Sequence, residues 1–410
     1  MPSDQPLKIA VRDLTKVFGS EPDKALALLN EGKTKQEIYE KTGQAVGVAK
    51  ATFGVYEGET LVIMGLSGSG KSSLIRCINR LNEPTAGEII LDGQDITKLH
   101  QKDLLSLRRK RFGMVFQHFA LFPHRSIRSN TEYGLEIQGV AAEERRERAL
   151  KALKQVGLEG WEDALPGQLS GGMQQRVGLA RALAVDPDIL LMDEAFSALD
   201  PLIRRDMQQE LVALQGEMHK TIIFITHDLD EALFLGNRIV LMKDARIEQI
   251  GTAEEILSSP ATPYVERFVE EVDKSKVLTV SAVMQRPRTV AYPADGPRTV
   301  LRKMEEEGFS LLCVVDTDHR HRGVVRDASA LQSAQRGDKT IMSIIEPGIA
   351  PLAPDAPLRD LVPVLAETPM PAPVVDERGK LLGVVVRASL LRGLATGIAV
   401  SGAEPTEKAA

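Results

Sequence analysis

GLSGSGKS, Gly65 to Ser72, is the run on which the reading of this 410-residue chain turns. It fits G-x-x-x-x-G-K-S and follows a short apolar stretch, TLVIM, Thr60 to Met64. That stretch is too short for a helix and suits a buried parallel strand. Gly65, Gly68 and Gly70 let the backbone bend so that successive N–H groups face inward and hold phosphate oxygens. A helix opening near Lys71 adds its positive end. Lys71 supplies a mobile charge for the β- and γ-phosphates of a nucleotide, and the Ser72 hydroxyl is placed to hold Mg²⁺. Ser67, Ser69 and Ser73 complete the expected phosphate-binding set. A strand–helix turn without a ligand is the plain alternative, and the correct context on both sides argues against it.

A second glycine run lies about a hundred residues on: LSGGMQQR, Leu169 to Arg176. Ser170, Gly171 and Gly172 immediately precede a helical stretch that includes Gln174, and so make a second anion-seeking helix start. Two such starts in one fold suggest a nucleotide held between molecules. ILLMDE, Ile189 to Glu194, reads as a buried strand ending in two carboxylates. Acids there need a cation or a ligand to meet them, and strand ends of open parallel sheets are where ligands bind. Asp193 is expected to hold Mg²⁺ through water, and Glu194 to polarise or position an attacking water. Alone, the pair would read as a helix cap. His227 follows a further apolar strand, Thr221 to Ile225, on the same sheet edge, and a contact to the γ-phosphate is expected. Gln117 follows an apolar run, Met114 to Phe116, from which it can reach both Mg²⁺ and the water.

Bulk properties narrow the classes. A chain of this length exceeds one core. Hydrophobic residues are 43% and net charge is −6, so no basic excess points to nucleic acid. Cys77 and Cys313 show no metal or disulfide spacing, which fits a reducing, cytosolic setting. The start MPSDQPLK lacks the pattern of a secretion signal, and no stretch is apolar for the roughly 18 to 20 residues that a membrane span needs. If the protein serves a membrane, another chain is expected to do the crossing.

Along the chain, Lys8 to Phe18 reads as a strand, and a charged helix-favouring piece follows from about Pro22 to Lys41, with Ala25, Leu28, Leu29 and Ile38 able to form one apolar face. Helical patterning dominates from about 100 to 184, and Met207, Leu211, Leu214 and Met218 mark a later amphipathic helix. Strands alternating with helices imply an α/β fold with a parallel sheet. After about Lys276 the chain becomes proline-rich and repeats itself weakly. CVVD (Cys313 to Asp316) matches PVVD (Pro373 to Asp376), and Gly323 matches Gly383, each about 60 residues apart. Helical patterns precede each VVD run, at Val300 to Glu307 and Leu358 to Glu367. Two strand–helix–strand units are expected, at 277–337 and 338–399, with a polar tail over 400–410.

Taken together these motifs resemble the ATPases of ABC transporters. Gly65 to Ser72 is similar to the Walker A loop, Ile189 to Glu194 to Walker B, and Leu169 to Arg176 to the family signature. Gln117 matches the Q-loop, Ser197 to Asp200 the D-loop, and His227 the switch histidine. The resemblance implies a P-loop nucleotide-binding domain over residues 1–276, with a helical subdomain at about 100–184. It also implies ATP and Mg²⁺ as cofactors, and a head-to-tail homodimer in which each site takes Ser170, Gly171, Gly172 and Gln174 from the other subunit. Phe18 matches the aromatic that stacks on adenine, with a plain core residue as the alternative.

The insertion near 22–48, the run MDEAFSALDPLIR (Met192 to Arg204) and the C-terminal repeat together resemble the ATPase subunits of bacterial importers for glycine betaine, proline or related quaternary amines. That resemblance implies transmembrane permease subunits, part of whose docking groove is His118 to Ile137. It further implies an extracytoplasmic substrate-binding protein and a peripheral place on the cytoplasmic face of the cell membrane. An importer ATPase for another small solute, and a soluble non-transport ABC ATPase, are the competing readings. The repeat resembles a tandem CBS pair. At the polar positions of the CBS nucleotide pattern this chain has Arg326 and Ser329, then Val386 and Ser389, without the usual hydroxyl and acid. A sensor of ionic strength or of another nucleotide such as cyclic di-AMP, and a structural dimerisation module, both stay open.

Overall fold

The computed structural model describes residues 6–270, 278–368 and 370–396. The expected polar tail at 400–410 lies outside them. The chain divides into two compact units, Met1–Ile256 with Pro260–Glu270, and Leu257–Ser259 with Glu271–Ala410.

The first unit begins with β1 (Leu7–Phe18), a helical pair α1 (Pro22–Asn30) and α2 (Lys35–Thr42), and β2 (Ala45–Tyr56). Then come β3 (Thr60–Met64), α3 (Lys71–Ile78), β4 (Ala86–Leu91), β5 (Gln94–Asp95), α4 (Gln101–Arg111) and β6 (Phe112–Val115). The helical stretch continues as α5 (Ile127–Gln138), α6 (Ala142–Gln155) and α7 (Gly171–Ala184). It is followed by β7 (Ile189–Asp193), α8 (Pro201–Met218), β8 (Thr221–Thr226), α9 (Leu229–Leu235), β9 (Arg238–Lys243), β10 (Arg246–Gly251), α10 (Ala253–Ser258) and α11 (Pro263–Val269).

Two sheets result. In the six-stranded sheet, β9, β3, β8, β7 and β6 are neighbours in that order and all parallel, with β10 antiparallel at one edge. Every residue of β3, β7 and β8 is buried, as helices on both faces of a parallel sheet require. The C-terminal ends of β3, β6, β7 and β8 therefore open onto one edge, where the phosphate loop, Gln117, the carboxylate pair and His227 follow. The second sheet is antiparallel, in the order β2, β1, β4, β5. Leu61, Ile63, Leu74, Ile78, Leu191 and Ile225 belong to one core shared by the sheets and α3.

The insertion is a surface helical pair, as the apolar pattern predicts. Ala25, Leu29 and Ile38 are buried, and Leu28 packs against them. Thr34 starts α2 with a capping box. Its side chain accepts from Glu37 N–H, while Thr34 N–H donates to the Glu37 carboxylate at 2.8 Å. Gly43, left-handed at φ 67°, ends the helix.

The second unit holds two copies of one pattern, preceded by α12 (Val280–Val283). The first copy is α13 (Pro297–Glu307), β11 (Leu311–Val315), β12 (His321–Arg326) and α14 (Asp327–Arg336). The second is α15 (Leu358–Glu367), β13 (Ala372–Val375), β14 (Leu381–Val385) and α16 (Arg387–Thr396). Each repeat is thus helix, hairpin, helix rather than the expected strand–helix–strand. The strand expected before each helix shrinks to isolated bridges, the parallel ones being Ala291 with Val314 and Leu352 with Val374. The cause is local: those segments carry Pro287 and Pro293, then Pro351, Pro354 and Pro357, which cannot donate to a ladder. The acid of each VVD run builds the hairpin turn. Asp316 Oδ1 accepts from Asp318 and Arg320 N–H, and Asp376 Oδ1 accepts from Arg378 and Lys380 N–H. Each repeat keeps its own core, around Val300, Val314 and Val325 in one and Leu361, Val374 and Val385 in the other.

Candidate nucleotide site

The loop between β3 and α3 needs glycine for space as well as for conformation. Gly65 has φ 150°, and a Cβ there would meet the Met242 carbonyl at 2.2 Å. Gly70 has φ 102° and caps α3, and its Cβ would meet the Gly47 carbonyl at 2.2 Å. Any larger residue at either place would push the loop off its supports. Ser67 and Gly68 are exposed on the outer turn, while Ser69 is buried with a hydroxyl that has no hydrogen-bond partner. Such a hydroxyl fits a site made for an oxygen-rich ligand.

Behind the loop, the side chains converge on Glu194. The Lys71 ammonium lies 3.8 Å from Glu194 Oε1, His227 Nδ1 lies 3.3 Å from Oε2, and Gln117 Nε2 donates to Oε2 at 3.4 Å. Four residues from four strand ends thereby meet at one carboxylate. Glu194 itself is bent out of the strand with φ 48°, its N–H donating to Ile225 O. A left-handed non-glycine residue is costly and is held only where surroundings over-determine it. Lys71 is buried, and its ammonium also donates to the carbonyls of Gly65 and Leu66. Burial pushes the Lys71 pKa below the usual lysine value, with Glu194 and Asp193 pulling it back up. A desolvated ammonium beside a carboxylate is ready to exchange that partner for a phosphate.

Next to this cluster, Ser72 Oγ donates to Asp193 Oδ1 at 2.9 Å. A hydroxyl and a buried carboxylate side by side form a hard-oxygen donor pair of the kind Mg²⁺ takes, with water and phosphate oxygens filling its remaining positions. Among the described residues no group of three or more His, Cys, Asp or Glu could hold a metal. Arg76 was not among the expected residues, yet it reaches Asp193 Oδ2 at 3.3 Å. Its signal was readable, because Arg76 is four residues after Ser72 and so shares its helix face.

Phe18 ends β1 and is partly exposed, with its ring against Gly47. A Cβ on Gly47 would come within 2.6 Å of that ring and 3.2 Å of Ser73 Oγ. The ring thus stands beside the first turn of α3, with Lys16 Nζ 4.9 Å from its centre. Ser170, Gly171, Gly172 and Gln174 stand elsewhere. Ser170 caps α7, which packs on α5 and α6, and among the described residues no hydrogen bond joins them to the phosphate loop. Gly172 is needed for packing, since its Cβ would meet Ile203 at 2.5 Å. Asp200 caps α8, accepting from the N–H groups of Leu202 and Ile203. In the segment after Gln117, Phe122 packs edge-on to Tyr133, and Arg181 donates to the carbonyls of Phe119 and Ala120.

The second unit has a separate cleft of about 440 Å³, lined among others by Arg286, Arg288, Phe309, Arg326, Asp327 and Met370. Arg326 and Ser329, at the polar positions of the first repeat, both bond to Glu346. Ser389 in the second is buried and bonds to the Val386 carbonyl.

Comparison with known proteins meets this geometry. Residues 48–197 match the profile described as ABC transporter, and residues 280–334 and 341–396 match the CBS domain. The glycine betaine transport ATP-binding protein OpuAA of Bacillus subtilis is 53% identical over 99% of this chain and 96% of its own length. The chain belongs to the ABC transporter family of ATP-binding proteins. This ABC ATPase is also 52% identical to the glycine betaine/carnitine transport ATP-binding protein GbuA of Listeria monocytogenes, over 94% of this chain and 97% of that one. Against ProV of Escherichia coli, a glycine betaine/proline betaine transport system ATP-binding protein, the identity is 46% over 95% and 98%. Among solved structures, the ATP-binding cassette MJ0796 in a dimeric post-hydrolysis state with ADP and Pi aligns at TM-score 0.51 and 34% identity, covering 60% of this chain and 98% of that one. As an ABC ATPase the chain binds and hydrolyses ATP, and its C-terminal repeats are CBS domains. Among the described residues no helix is long and apolar enough to cross a membrane.

Proposed function

We propose that this ABC ATPase powers an importer of glycine betaine or proline-type osmolytes, with the CBS pair regulating it. The observation that carries the chemistry is the gathering of Lys71, Gln117 and His227 on Glu194 beside the Ser72–Asp193 pair. The substrate class rests on three near full-length relatives whose names all carry betaine transport. As the ATP-binding subunit of such an importer, like its betaine-transport relatives, it works with transmembrane permease subunits. An extracytoplasmic binding protein delivering the solute and a place on the cytoplasmic face of the membrane follow from the same reading.

In the reaction, water adds to the γ-phosphorus of ATP and the bond to the β-bridging oxygen breaks, giving ADP and phosphate. Glu194 orients the water and takes up its proton. Gln117 holds the opposite side of that water, and His227 donates toward the γ-phosphate. Lys71 leaves Glu194 and the loop carbonyls to meet the β- and γ-oxygens, while Gly65 to Ser73 cradle them with backbone N–H groups. Ser72, Asp193 and Gln117 would hold Mg²⁺, which neutralises charge building on the phosphates. Phe18 stacks on adenine. Ser170, Gly171, Gly172 and Gln174 of a second copy, with Asp200 at the seam, close the site from the far side. The dimeric MJ0796 cassette with ADP and Pi supports that arrangement.

The test is uptake. The chain, purified with its permease in vesicles containing ATP, should import betaine, proline or choline in a way that varies with internal salt. Import of none of these, with ATPase activity intact, would contradict the osmolyte reading and leave the ATPase standing.

A further inference from the structure

Lys35 belongs to none of the nucleotide motifs. It is the first residue of α2, in the insertion, and its ammonium donates to the Gly68 carbonyl of the phosphate loop at 2.9 Å. Helix stability does not account for a lysine there, because a cation in the first turn opposes the helix dipole. Filling space does not account for it either. Lys35 borders an open cavity of about 760 Å³ together with Gln36, Tyr39, Lys243, Asp244 and Arg246. A side chain so placed is free to extend into solvent, yet it lies on the loop.

The base of the lysine is rigid. The Thr34–Glu37 capping box fixes the start of α2, and Ile38 is buried among Val17, Ala25, Leu29, Val46, Ala49 and Ala245. Ala245, in that same small core, donates its N–H to the Ser69 carbonyl at 3.1 Å and accepts from Ala49 N–H at 2.7 Å. One cluster of side chains therefore anchors two supports, on the consecutive carbonyls of Gly68 and Ser69.

A trans peptide is planar, with its N–H opposite its C=O. Fixing the Gly68 and Ser69 carbonyls outward aims the N–H groups of Ser69 and Gly70 toward the inside of the loop. In this structure Ser69 N–H indeed points within it, to Leu66 O at 3.1 Å. We infer that Lys35 is a positioning residue for nucleotide binding: from outside the loop it holds the Gly68–Ser69 peptide so that its N–H faces the phosphates. A hydrogen bond from a charged donor is roughly twice as strong as a neutral one and polarises the peptide it touches. The inference deepens the nucleotide-site reading and rests on it.

The test compares the full-length chain with Lys35→Met and Lys35→Arg, measuring ATP affinity by titration and KM and kcat by phosphate release. Lys35→Met should raise Kd and KM for ATP about tenfold, the scale of one charge-assisted hydrogen bond. Its kcat at saturating ATP and its melting temperature without nucleotide should match wild type, and Lys35→Arg should recover most of the affinity. Unchanged Kd and KM in Lys35→Met would overturn the inference. So would an affinity loss that Lys35→Arg shares in full or that falls together with melting temperature, since either would mark a structural role. Wild-type chain that binds no ATP would remove the nucleotide site and this inference together.

Discussion

Glu194 is the residue on which the proposed chemistry depends, and its geometry sets its prediction. The carboxylate is flanked at 3.3–3.8 Å by His227, Gln117 and Lys71, each from a different strand end. Glu194→Gln keeps the shape and removes the proton acceptor. Turnover should fall about 10²–10⁴-fold, the usual worth of a general base. ATP affinity should stay within a few-fold of wild type. Phosphate release at an unchanged rate would remove Glu194 from the mechanism. Gly70→Ala makes a second case. The residue sits at φ 102° with the Gly47 carbonyl 2.2 Å from where a Cβ would be. Left-handed strain alone costs about 1–2 kcal/mol, and the overlap adds to it. ATP affinity should therefore drop by roughly tenfold or more, and titration with ATP checks this. These motifs were legible in the sequence because each is local: the glycines, the two acids and the lysine stand within a few residues of a strand end. The meeting of four such ends at one carboxylate was an inference from topology alone, and the left-handed turn at Glu194 left no trace in residue type.

Among the elements, the insertion α1–α2 shows both what sequence carries and what it does not. Its apolar face, Ala25, Leu29 and Ile38, is readable at helical spacing and is buried as that spacing implies. The contact from Lys35 to Gly68 spans 33 residues and joins a helix start to an exposed loop, so no local pattern announces it. The CBS repeats fail in the other direction. Helices α13 and α15 follow from their apolar periodicity, but prolines reduce the preceding strands to isolated bridges. For the insertion, Thr34→Ala removes the side-chain half of the capping box and should cost about 1 kcal/mol. Thermal melting of the variant against wild type measures it. Equal melting temperatures would mean that the cap does not hold α2. Ile38→Ala should cost more, about 2–5 kcal/mol, because the site is fully enclosed.

The molecule as a whole keeps its nucleotide site and its CBS repeats in separate units with separate cores. All residues gathered at Glu194 lie in the first. A chain ending at Glu270 should therefore keep basal ATPase activity while its response to salt changes. Loss of basal activity in a folded truncation would show that the repeats are needed for the chemistry itself. The signature helix gives the opposite message. Ser170 caps α7 in the first unit, and in the proposed arrangement it serves the phosphate of a second copy. Structure determination of Glu194→Gln with ATP and Mg²⁺ tests this most directly. The γ-phosphate should be held by Lys71 of one protomer and lie within about 3 Å of the Ser170 hydroxyl and the Gly172 N–H of another. A γ-phosphate contacted by a single chain, with Ser170 turned to solvent, would contradict it.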